Sequence, residues 1–436
     1  MSSILKLIQS RDIDMESPFF INGDYSLCLN DVIHGNFDHL NGIHEGSVVA
    51  LIGDFNERTI ADLLQLIEKK VIIVPLTIET FSDHPYFFDC ASVEWIVENG
   101  ITRRAGNRVS QPLLDELRRR GNPGLILFST GTTGRPKAIL HDFSFFLQRY
   151  MTPRPAHRTL NFLLFDHIGG INTLLHSMFN SGVIVSIKNR TVEEVLRTCE
   201  IFNVEVLPTT PTFLRMMLMS GSVPENFPRS LKVITYGTEI MDEFTLLKLA
   251  EILPGVDFRQ TFGMSELGIL RVKSESRSSL FMKVGGEGVV WKVDQGVLMI
   301  KSSTRMMGYL NADSPFDIEG WYNTKDLVEV KGDMLKVVGR ISDVVNVAGQ
   351  KFLTSEVQSA AMDYPNILNL SVLVKDNPIT GQHIEMVIEV KNTLTFDLSR
   401  FKDYLSSKLP RHMMPRRISL GDVAVNHRFK KMGDQT

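Results

Sequence analysis

The segment with the greatest density of reactive side chains is Ser-Thr-Gly-Thr-Thr-Gly-Arg-Pro-Lys at positions 129–137, directly after a predicted strand. It combines four hydroxyls, two glycines and two cations in nine residues. Glycine lets a backbone approach an anion closely, and hydroxyls, N–H groups and cations bind phosphate oxygens. Lys137 stands three residues after Gly134, so this is not a Walker A loop. The pattern predicts a phosphate-binding loop, with a polar surface loop as the alternative.

This segment resembles the phosphate-loop signature of the adenylate-forming superfamily, which includes acyl- and aryl-CoA ligases, peptide-synthetase adenylation domains and luciferases. Further segments resemble motifs of that superfamily in the same order along nearly the whole chain. They are Thr-Phe-Gly-Met-Ser-Glu at 261–266, Gly-Trp-Tyr-Asn-Thr-Lys-Asp at 320–326, the hinge segments 339–343 and 346–349, and Asn-His-Arg-Phe-Lys at 426–430. The resemblance implies a ligase that uses ATP and Mg²⁺ to convert a carboxylic acid into an enzyme-bound acyl adenylate.

The resemblance also assigns nucleotide contacts. The loop would hold the phosphates, the 236–239 turn would line the adenine, and Asp326 would accept hydrogen bonds from the ribose hydroxyls, which requires an acceptor-only side chain. Arg340 carries a permanent charge suited to a ribose or phosphate contact. The alternative is that Arg340 forms a salt bridge at a domain border. The nucleotide-binding candidates are Ser129, Thr130, Gly131, Thr132, Thr133, Gly134, Lys137, Tyr236, Gly237, Thr238, Glu239, Thr261, Phe262, Gly263, Met264, Asp326 and Arg340.

Four residues are the candidates for the reaction itself. Attack of a carboxylate on a phosphate brings negative charges together and requires a metal ion and cationic donors. Glu266 is the candidate Mg²⁺ ligand, with an exposed surface acid as the alternative, and Ser265 is a candidate α-phosphate donor. His167, in an aromatic-Asp-His-Ile-Gly-Gly segment, either positions the substrate acid or is a structural histidine. Lys430 is the candidate catalytic lysine, and Lys431 is the second choice.

Three positions depart from the superfamily pattern. Lys325 replaces the glycine before the ribose-binding aspartate, which puts the geometry of that turn in question. Ser342 stands at the hinge, where Asp or Lys is usual. Phe429 replaces the glycine before the terminal lysine.

The residues around these motifs predict an α/β fold with parallel-rich sheets. Apolar runs at 48–52 and 71–76 flank a helical pattern at 59–69, and this β-α-β order indicates a parallel sheet covered by helices. Further strands are predicted at 125–128, 183–187, 204–207 and 233–236. After about residue 280, short strands such as 289–293 and 297–301 predict a small β-rich subdomain.

A second pattern begins near residue 342. A helix at 355–362, strands at 370–375 and 384–391, and a helix at 398–409 predict a small α+β unit. We therefore expect a domain for ATP and acid binding at residues 1–341 and a mobile lid domain at 342–436.

The acyl acceptor stays open at this stage. Transfer to CoA or a carrier thiol is the first hypothesis, and amide formation with an amine or amino acid, as in the compact coronafacate ligase-like branch, is the second. A non-catalytic ATP- or acyl-binding relative is the alternative outside the enzymes. Apolar residues around His167 (Phe162, Leu163, Leu164, Phe165 and Ile168) favour a medium-sized, mostly apolar acid, although core packing would explain at least half of them.

Charge, cysteine spacing and apolar run length argue against several other classes of protein. The chain has 47 basic and 50 acidic residues and a formal charge of −3, which disfavours a nucleic-acid-binding protein. Cys28, Cys90 and Cys199 are far apart in the sequence and form no zinc-binding spacing. No apolar run is long enough for a membrane span or a signal peptide, so the expected location is the cytoplasm.

Overall fold

A computed structural model describes residues 4–11, 13–129 and 135–423. The strands of the first part of the chain are β1 (Pro18–Asn22), β2 (Tyr25–Cys28), β3 (Val48–Ile52), β4 (Ile72–Leu76), β5 (Trp95–Glu98), β6 (Ile101–Arg104), β7 (Gly124–Phe128), β8 (Ala138–Asp142), β9 (Arg158–Leu160), β10 (Val183–Val185), β11 (Val206–Thr209), β12 (Val233–Tyr236) and β13 (Asp257–Gln260). Those that follow are β14 (Gly263–Met264), β15 (Gly268–Ile269), β16 (Arg271–Ser274), β17 (Met282–Gly285), β18 (Val289–Asp294), β19 (Val297–Ser302), β20 (Gly308–Tyr309), β21 (Tyr322–Lys331), β22 (Met334–Arg340), β23 (Val344–Val347), β24 (Gln350–Leu353), β25 (Ile367–Asn377), β26 (Gly381–Val390) and β27 (Arg417–Leu420).

The α-helices are α1 (Ile4–Gln9), α2 (Leu29–His34), α3 (Glu57–Glu68), α4 (His84–Ala91), α5 (Pro112–Arg120), α6 (Phe143–Gln148), α7 (Ile168–Phe179), α8 (Val192–Ile201), α9 (Pro211–Met219), α10 (Glu243–Ile252), α11 (Thr354–Met362) and α12 (Leu398–Lys408). Short 3₁₀ helices occupy Asp38–Leu40, Ile78–Asp83, Ile341–Asp343 and Arg411–Met413. In the described part of the chain, none of these helices combines the length and apolar character that a membrane crossing requires.

Two seven-stranded sheets carry most of the fold. The first has the order β13-β12-β11-β9-β10-β1-β2 and is parallel except for its terminal β1–β2 pair. The second has the order β20-β8-β7-β4-β3-β5-β6, with parallel pairing from β7 through β5 and antiparallel edges. The predicted α/β class with parallel-rich sheets is confirmed.

The helices cover both faces of these sheets. One hydrophobic cluster joins side chains of both sheets to α3 and α7. A second packs the other face of the first sheet against α8, α9 and α10, and a third packs the second sheet against α4 and α5. Helix α3 begins two residues before the predicted helix, because the Asn56 side chain accepts a hydrogen bond from Thr59 N and caps its first turn.

The predicted β-rich region is a six-stranded sheet in the order β16-β17-β22-β21-β19-β18, antiparallel throughout. Its hairpins place the 320–326 and 339–343 motifs side by side. The chain then forms a sheet of β23 to β27, whose hydrophobic cluster uses only residues from 345 to 418 with α11 and α12. The division into an N-terminal domain and a mobile lid at residue 342 stays a prediction.

Candidate active site

The two ends of the predicted phosphate loop are joined by two hydrogen bonds. Ser129 N donates to the Lys137 carbonyl at 3.0 Å, and Lys137 N donates to Ser129 Oγ at 3.0 Å. The flanking strands β7 and β8 pair antiparallel, which brings Ser129 and Lys137 together at the ends of these strands. The predicted contacts Thr130, Gly131, Thr132, Thr133 and Gly134 lie outside the described residues.

The exit of this loop is held by a residue that the sequence motifs did not indicate. Asn311 Oδ1 accepts from Ala138 N at 2.9 Å, and Asn311 Nδ2 donates to the Pro136 carbonyl at 3.1 Å. The hydroxyl of Tyr86, on α4, donates to the same carbonyl at 2.9 Å. Asn311 follows β20, which pairs with β8, so sheet pairing brings it to the loop.

The 236–239 turn and the 261–266 motif contact each other because β12 and β13 are parallel neighbours whose carboxyl ends meet. Thr261 donates to the Tyr236 carbonyl from its N at 2.7 Å and from its Oγ1 at 3.1 Å. A Cβ on Gly237 would lie 2.2 Å from Thr261 Oγ1, so only glycine fits there. Thr238 has φ +71°, an uncommon conformation for a β-branched residue that often marks functional turns.

Two side chains of this turn have contacts in the protein interior. The Tyr236 side chain is 1% exposed within the cluster beneath the first sheet, and burial raises its pKa. The backbone of Tyr236, not its ring, therefore faces the 261–266 motif. Glu239 Oε2 accepts from Thr212 N at 3.1 Å and from Thr212 Oγ1 at 2.7 Å, which fixes the start of α9. The adenine contacts of both residues stay predictions.

The 261–266 motif forms a tight two-stranded turn. A Cβ on Gly263 would lie 2.6 Å from the Gly268 carbonyl, because β14 and β15 pair closely. Phe262 and Met264 pack against the cluster beneath the antiparallel sheet.

The Ser265 carbonyl accepts a 2.6 Å hydrogen bond from Nε2 of His141, on β8. Complete burial lowers the pKa of His141 to about 4, so this neutral imidazole donates across the physiological pH range.

Glu266 lies beside two tyrosines, Tyr309 and Tyr322. The Tyr309 hydroxyl donates to Glu266 Oε1 at 2.7 Å. Tyr322, the first residue of β21, lies close enough to Glu266 for the carboxylate charge to act on its phenol. Burial, reinforced by the negative charge of Glu266, raises the pKa of both phenols. The ammonium of Lys137 lies 4.7 Å from the centroid of the Tyr309 ring, which connects the phosphate loop to this carboxylate.

Asp326 and Arg340 face each other across β21 and β22. Arg340 Nε lies 3.1 Å from Asp326 Oδ1, and Asp326 is 5% exposed. Burial raises the pKa of Asp326, while the Arg340 guanidinium opposes that change. Arg340 therefore forms the salt bridge that was its alternative role, and its partner is Asp326, the predicted ribose ligand.

Lys325 adopts φ +61°, the left-handed conformation that glycine takes without a steric penalty. The turn required before Asp326 thus forms despite the substitution, supported by a 2.8 Å hydrogen bond from Lys325 N to Asn323 Oδ1. Lys325 therefore differs from the superfamily pattern in residue type but keeps a glycine-like backbone conformation.

We expect Lys325→Gly to raise the free energy of unfolding by about 1 kcal/mol, because a non-glycine residue in this conformation is strained. Urea denaturation measures this change. The control is Lys301→Gly on β19, an exposed residue within a strand, which we expect to lower the free energy of unfolding by about 0.5–1 kcal/mol. A lower free energy of unfolding in Lys325→Gly would contradict the backbone strain assigned to Lys325.

His167 caps helix α7, with its Nδ1 accepting from Gly169 N at 3.0 Å. A Cβ on Gly170 would lie 2.1 Å from the Leu164 carbonyl, so the helix starts in close contact with the preceding loop. The capping hydrogen bond supports the structural interpretation of His167, and a role of His167 beside the substrate acid stays a prediction.

Of the apolar residues around His167, Phe162, Leu164, Phe165 and Ile168 are buried. Core packing therefore accounts for four of the five.

The predicted hinge position, Ser342, lies in the 3₁₀ turn that follows β22. Ser342 Oγ donates to Asp343 Oδ1 at 3.0 Å, and Arg340 N donates to Asp343 Oδ2 at 3.2 Å. Lys430 and Lys431 lie outside the described residues, so their assignment stays a prediction.

Residues 45–310, more than half of the chain, match the family model described as AMP-binding enzyme. This chain belongs to that family. The matched range contains the phosphate loop, the 236–239 turn, the 261–266 motif and Tyr309. The Asp326–Arg340 pair lies beyond it.

Individual members of the AMP-binding family are distant relatives. Acyl-CoA synthetase 7 of Caenorhabditis elegans is 22% identical over 346 residues, which cover 72% of this chain and 64% of that protein. A 4-coumarate–CoA ligase-like protein of Arabidopsis thaliana is 22% identical over 376 residues, covering 76% of this chain and 64% of that protein. The match thus spans less than two thirds of the length of these relatives.

Solved structures of similar fold align over nearly the whole chain. The anthranilate CoA ligase AuaEII, in complex with anthranoyl-AMP, superposes with a TM-score of 0.80 at 16% identity and covers 99% of this chain and 95% of its own. ATP-bound MatB from Rhodopseudomonas palustris gives 0.79 at 17% identity, covering 97% and 96%. The amide bond synthetase McbA from Marinactinospora thermotolerans gives 0.74 at 16% identity, also covering 97% and 96%. These likenesses establish the fold.

Proposed function

We propose that this chain is an ATP-dependent carboxylic acid ligase that forms an acyl adenylate and pyrophosphate and then transfers the acyl group to the thiol of CoA or of a carrier. One observation carries the proposal. Lys137 lies over the ring of Tyr309, and Tyr309 donates a hydrogen bond to Glu266. Tyr322, beside Glu266, begins strand β21, which carries Asp326, the ion-pair partner of Arg340. The proposed phosphate-binding cation, metal-binding carboxylate and ribose-binding carboxylate are thus carried by neighbouring segments.

In the first half-reaction, an oxygen of the substrate carboxylate attacks the α-phosphorus of ATP, and the bond to the bridging oxygen breaks to release pyrophosphate. Lys137 and the donors of the loop neutralise the phosphate charge that builds up. The Ser265 hydroxyl is the proposed donor to the α-phosphate, and the His141 hydrogen bond to its carbonyl holds its backbone in place.

Asp326 binds the ribose in this proposal. Its ionised carboxylate accepts from both ribose hydroxyls, while Arg340 favours the ionised form in a buried position that would otherwise raise the pKa further. Arg340 is half exposed, with 54% of its side chain accessible, so it can also contact the nucleotide.

Glu266 fits a magnesium ion that arrives with the nucleotide. Mg²⁺ is commonly bound through one or two carboxylates together with substrate phosphates, and Glu266 offers one such carboxylate, which Tyr309 holds at the site. When bound, the ion would neutralise phosphate charge and orient the leaving pyrophosphate.

In the second half-reaction, the acceptor sulfur attacks the acyl carbon and AMP leaves with the electrons of the mixed anhydride bond. The CoA ligases among the relatives and structural neighbours support a thiol acceptor. An amine acceptor is the second candidate, supported by the superposition on an amide bond synthetase.

An acid-dependent ATP–pyrophosphate exchange assay tests the proposed function. We expect exchange with one class of acid in a panel of aliphatic, aryl, cyclic and amino acids, and the sequence favours a medium-sized apolar acid. Preferential exchange with free amino acids would contradict that substrate class. Binding of ATP without exchange for any acid would support the non-catalytic alternative. Mass spectrometry of products formed with CoA or amino acids as the only acceptor distinguishes a thioester from an amide.

A further inference from the structure

The carboxylate of Glu266 accepts a hydrogen bond from Tyr309 and lies beside Tyr322. Tyr309 belongs to β20, at the edge of the second sheet, and Tyr322 begins β21 of the antiparallel sheet. The Glu266 backbone carbonyl also accepts from Met306 N at 2.8 Å. Backbone and side chain of Glu266 are therefore both held by the chain that leads into β20.

The position of Tyr309 is itself well determined. Its backbone pairs with Ile139 of β8, and its side chain is 7% exposed. β8 begins directly after Lys137, whose ammonium lies over the Tyr309 ring. A single residue thus contacts both the cation at the end of the phosphate loop and the carboxylate of the 261–266 motif.

We propose that Tyr309 is a positioning residue that sets the Mg²⁺ affinity of the nucleotide site by holding the Glu266 carboxylate in its metal-binding orientation, with Tyr322 as its second support. This inference rests on the proposed function, in which Glu266 contacts the metal ion. A carboxylate has about four acceptor positions, so the hydrogen bond from Tyr309 leaves acceptor positions for the ion.

The expected size of the effect follows from other metal sites. Hydrogen-bond partners that orient a metal ligand typically change metal affinity or activity 10–100-fold when removed. Without the Tyr309 hydroxyl, the Glu266 side chain would sample other rotamers, and each binding event would have to restrict it again.

The test uses Tyr309→Phe, which removes one hydroxyl and keeps the ring over Lys137. Electron paramagnetic resonance titration of Mn²⁺ with a non-hydrolysable ATP analogue measures metal binding without turnover. We expect the Kd for Mn²⁺ to rise about 10–100-fold, with a matching rise in the Mg²⁺ concentration for half-maximal exchange. The exchange rate at saturating Mg²⁺ should change much less, because the ligand itself is retained.

Tyr404→Phe is the matched control, since the Tyr404 hydroxyl donates to Asp363 Oδ2 at 3.3 Å, a second tyrosine–carboxylate pair in the C-terminal part of the chain. We expect its Mn²⁺ affinity to equal that of the wild type. In a Glu266→Gln background, Tyr309→Phe should have little further effect on metal binding, because the carboxylate that it orients is gone.

The outcomes separate this inference from the proposed function. A wild-type protein that binds no Mn²⁺ with the ATP analogue would refute the proposed function. Metal binding in the wild type with an unchanged Kd in Tyr309→Phe would refute the role of Tyr309 alone. If Tyr309→Phe fails to fold by circular dichroism, Tyr322→Phe becomes the deciding variant, and an unchanged Kd there overturns the proposal.

Discussion

Replacing Lys430 with alanine is expected to slow adenylate formation about 10²–10³-fold, the value of one positioned charge at a reacting phosphate. Acyl transfer from a supplied acyl adenylate should be affected far less. The superfamily that this chain resembles alternates two orientations of its C-terminal domain, so that each face of the domain serves one half-reaction. Single-turnover assays of the two half-reactions, the second started from synthetic acyl adenylate, measure both effects.

The adjacent Lys431 provides the control. If Lys430 is the catalytic amine, Lys431→Ala should retain near wild-type adenylation, although the charge of the segment changes equally. The reverse pattern would assign the role to Lys431. Equal losses in both half-reactions for Lys430→Ala would contradict the assignment of either half-reaction to this lysine.

Asp326→Ala is expected to raise the Kd for ATP about 10–150-fold, because hydrogen bonds to a charged group contribute about 1.5–3 kcal/mol. Asp326 is buried, whereas its partner Arg340 is half exposed, so the substitution leaves a guanidinium that water can solvate. Isothermal titration calorimetry of ATP binding to the folded variant measures the change.

A second acidic residue of the same hairpin is the control for Asp326. Asp333 lies in the turn between β21 and β22 and pairs with Lys283 at 2.6 Å on the surface. Asp333→Ala removes a carboxylate from the same strand pair and should leave ATP affinity unchanged. An unchanged Kd in Asp326→Ala would show that ribose recognition lies elsewhere, and a raised Kd in both variants would indicate damage to the hairpin.

Local sequence patterns were sufficient for the elements that flank the site. The strands predicted at 48–52 and 233–236 are present with those bounds, because buried parallel strands are short, continuous apolar runs. The strand predicted at 204–207 instead spans Val206–Thr209. Asn203 takes φ +51° before it, and pairing with β12 begins only at Val206. Where an element starts therefore depended on its neighbour in the sheet.

The motifs also located the candidate site within the sequence, since glycines, hydroxyls and charges in a fixed order restrict the chemistry that a segment can perform. The glycine requirement at Gly237 and the left-handed turn at Lys325 are backbone consequences of those motifs. The roles of individual side chains were harder to predict from the sequence. Glu239 and His167 both hold the ends of helices in the structure, a contact that their sequence neighbourhoods did not distinguish from ligand binding.

Tertiary structure alone decided which residues support the motifs. His141 reaches Ser265 across 124 residues, Asn311 reaches Pro136 across 175, and Tyr309 reaches Glu266 across 43. None of these supporting residues has a sequence signature, because a lone histidine, asparagine or tyrosine is compatible with many environments. Their roles arise from the order β20-β8-β7 in the second sheet, which aligns distant segments by backbone pairing. The sequence by itself determined the α/β class and the candidate chemical groups, and the packing of the sheets determined how those groups are held.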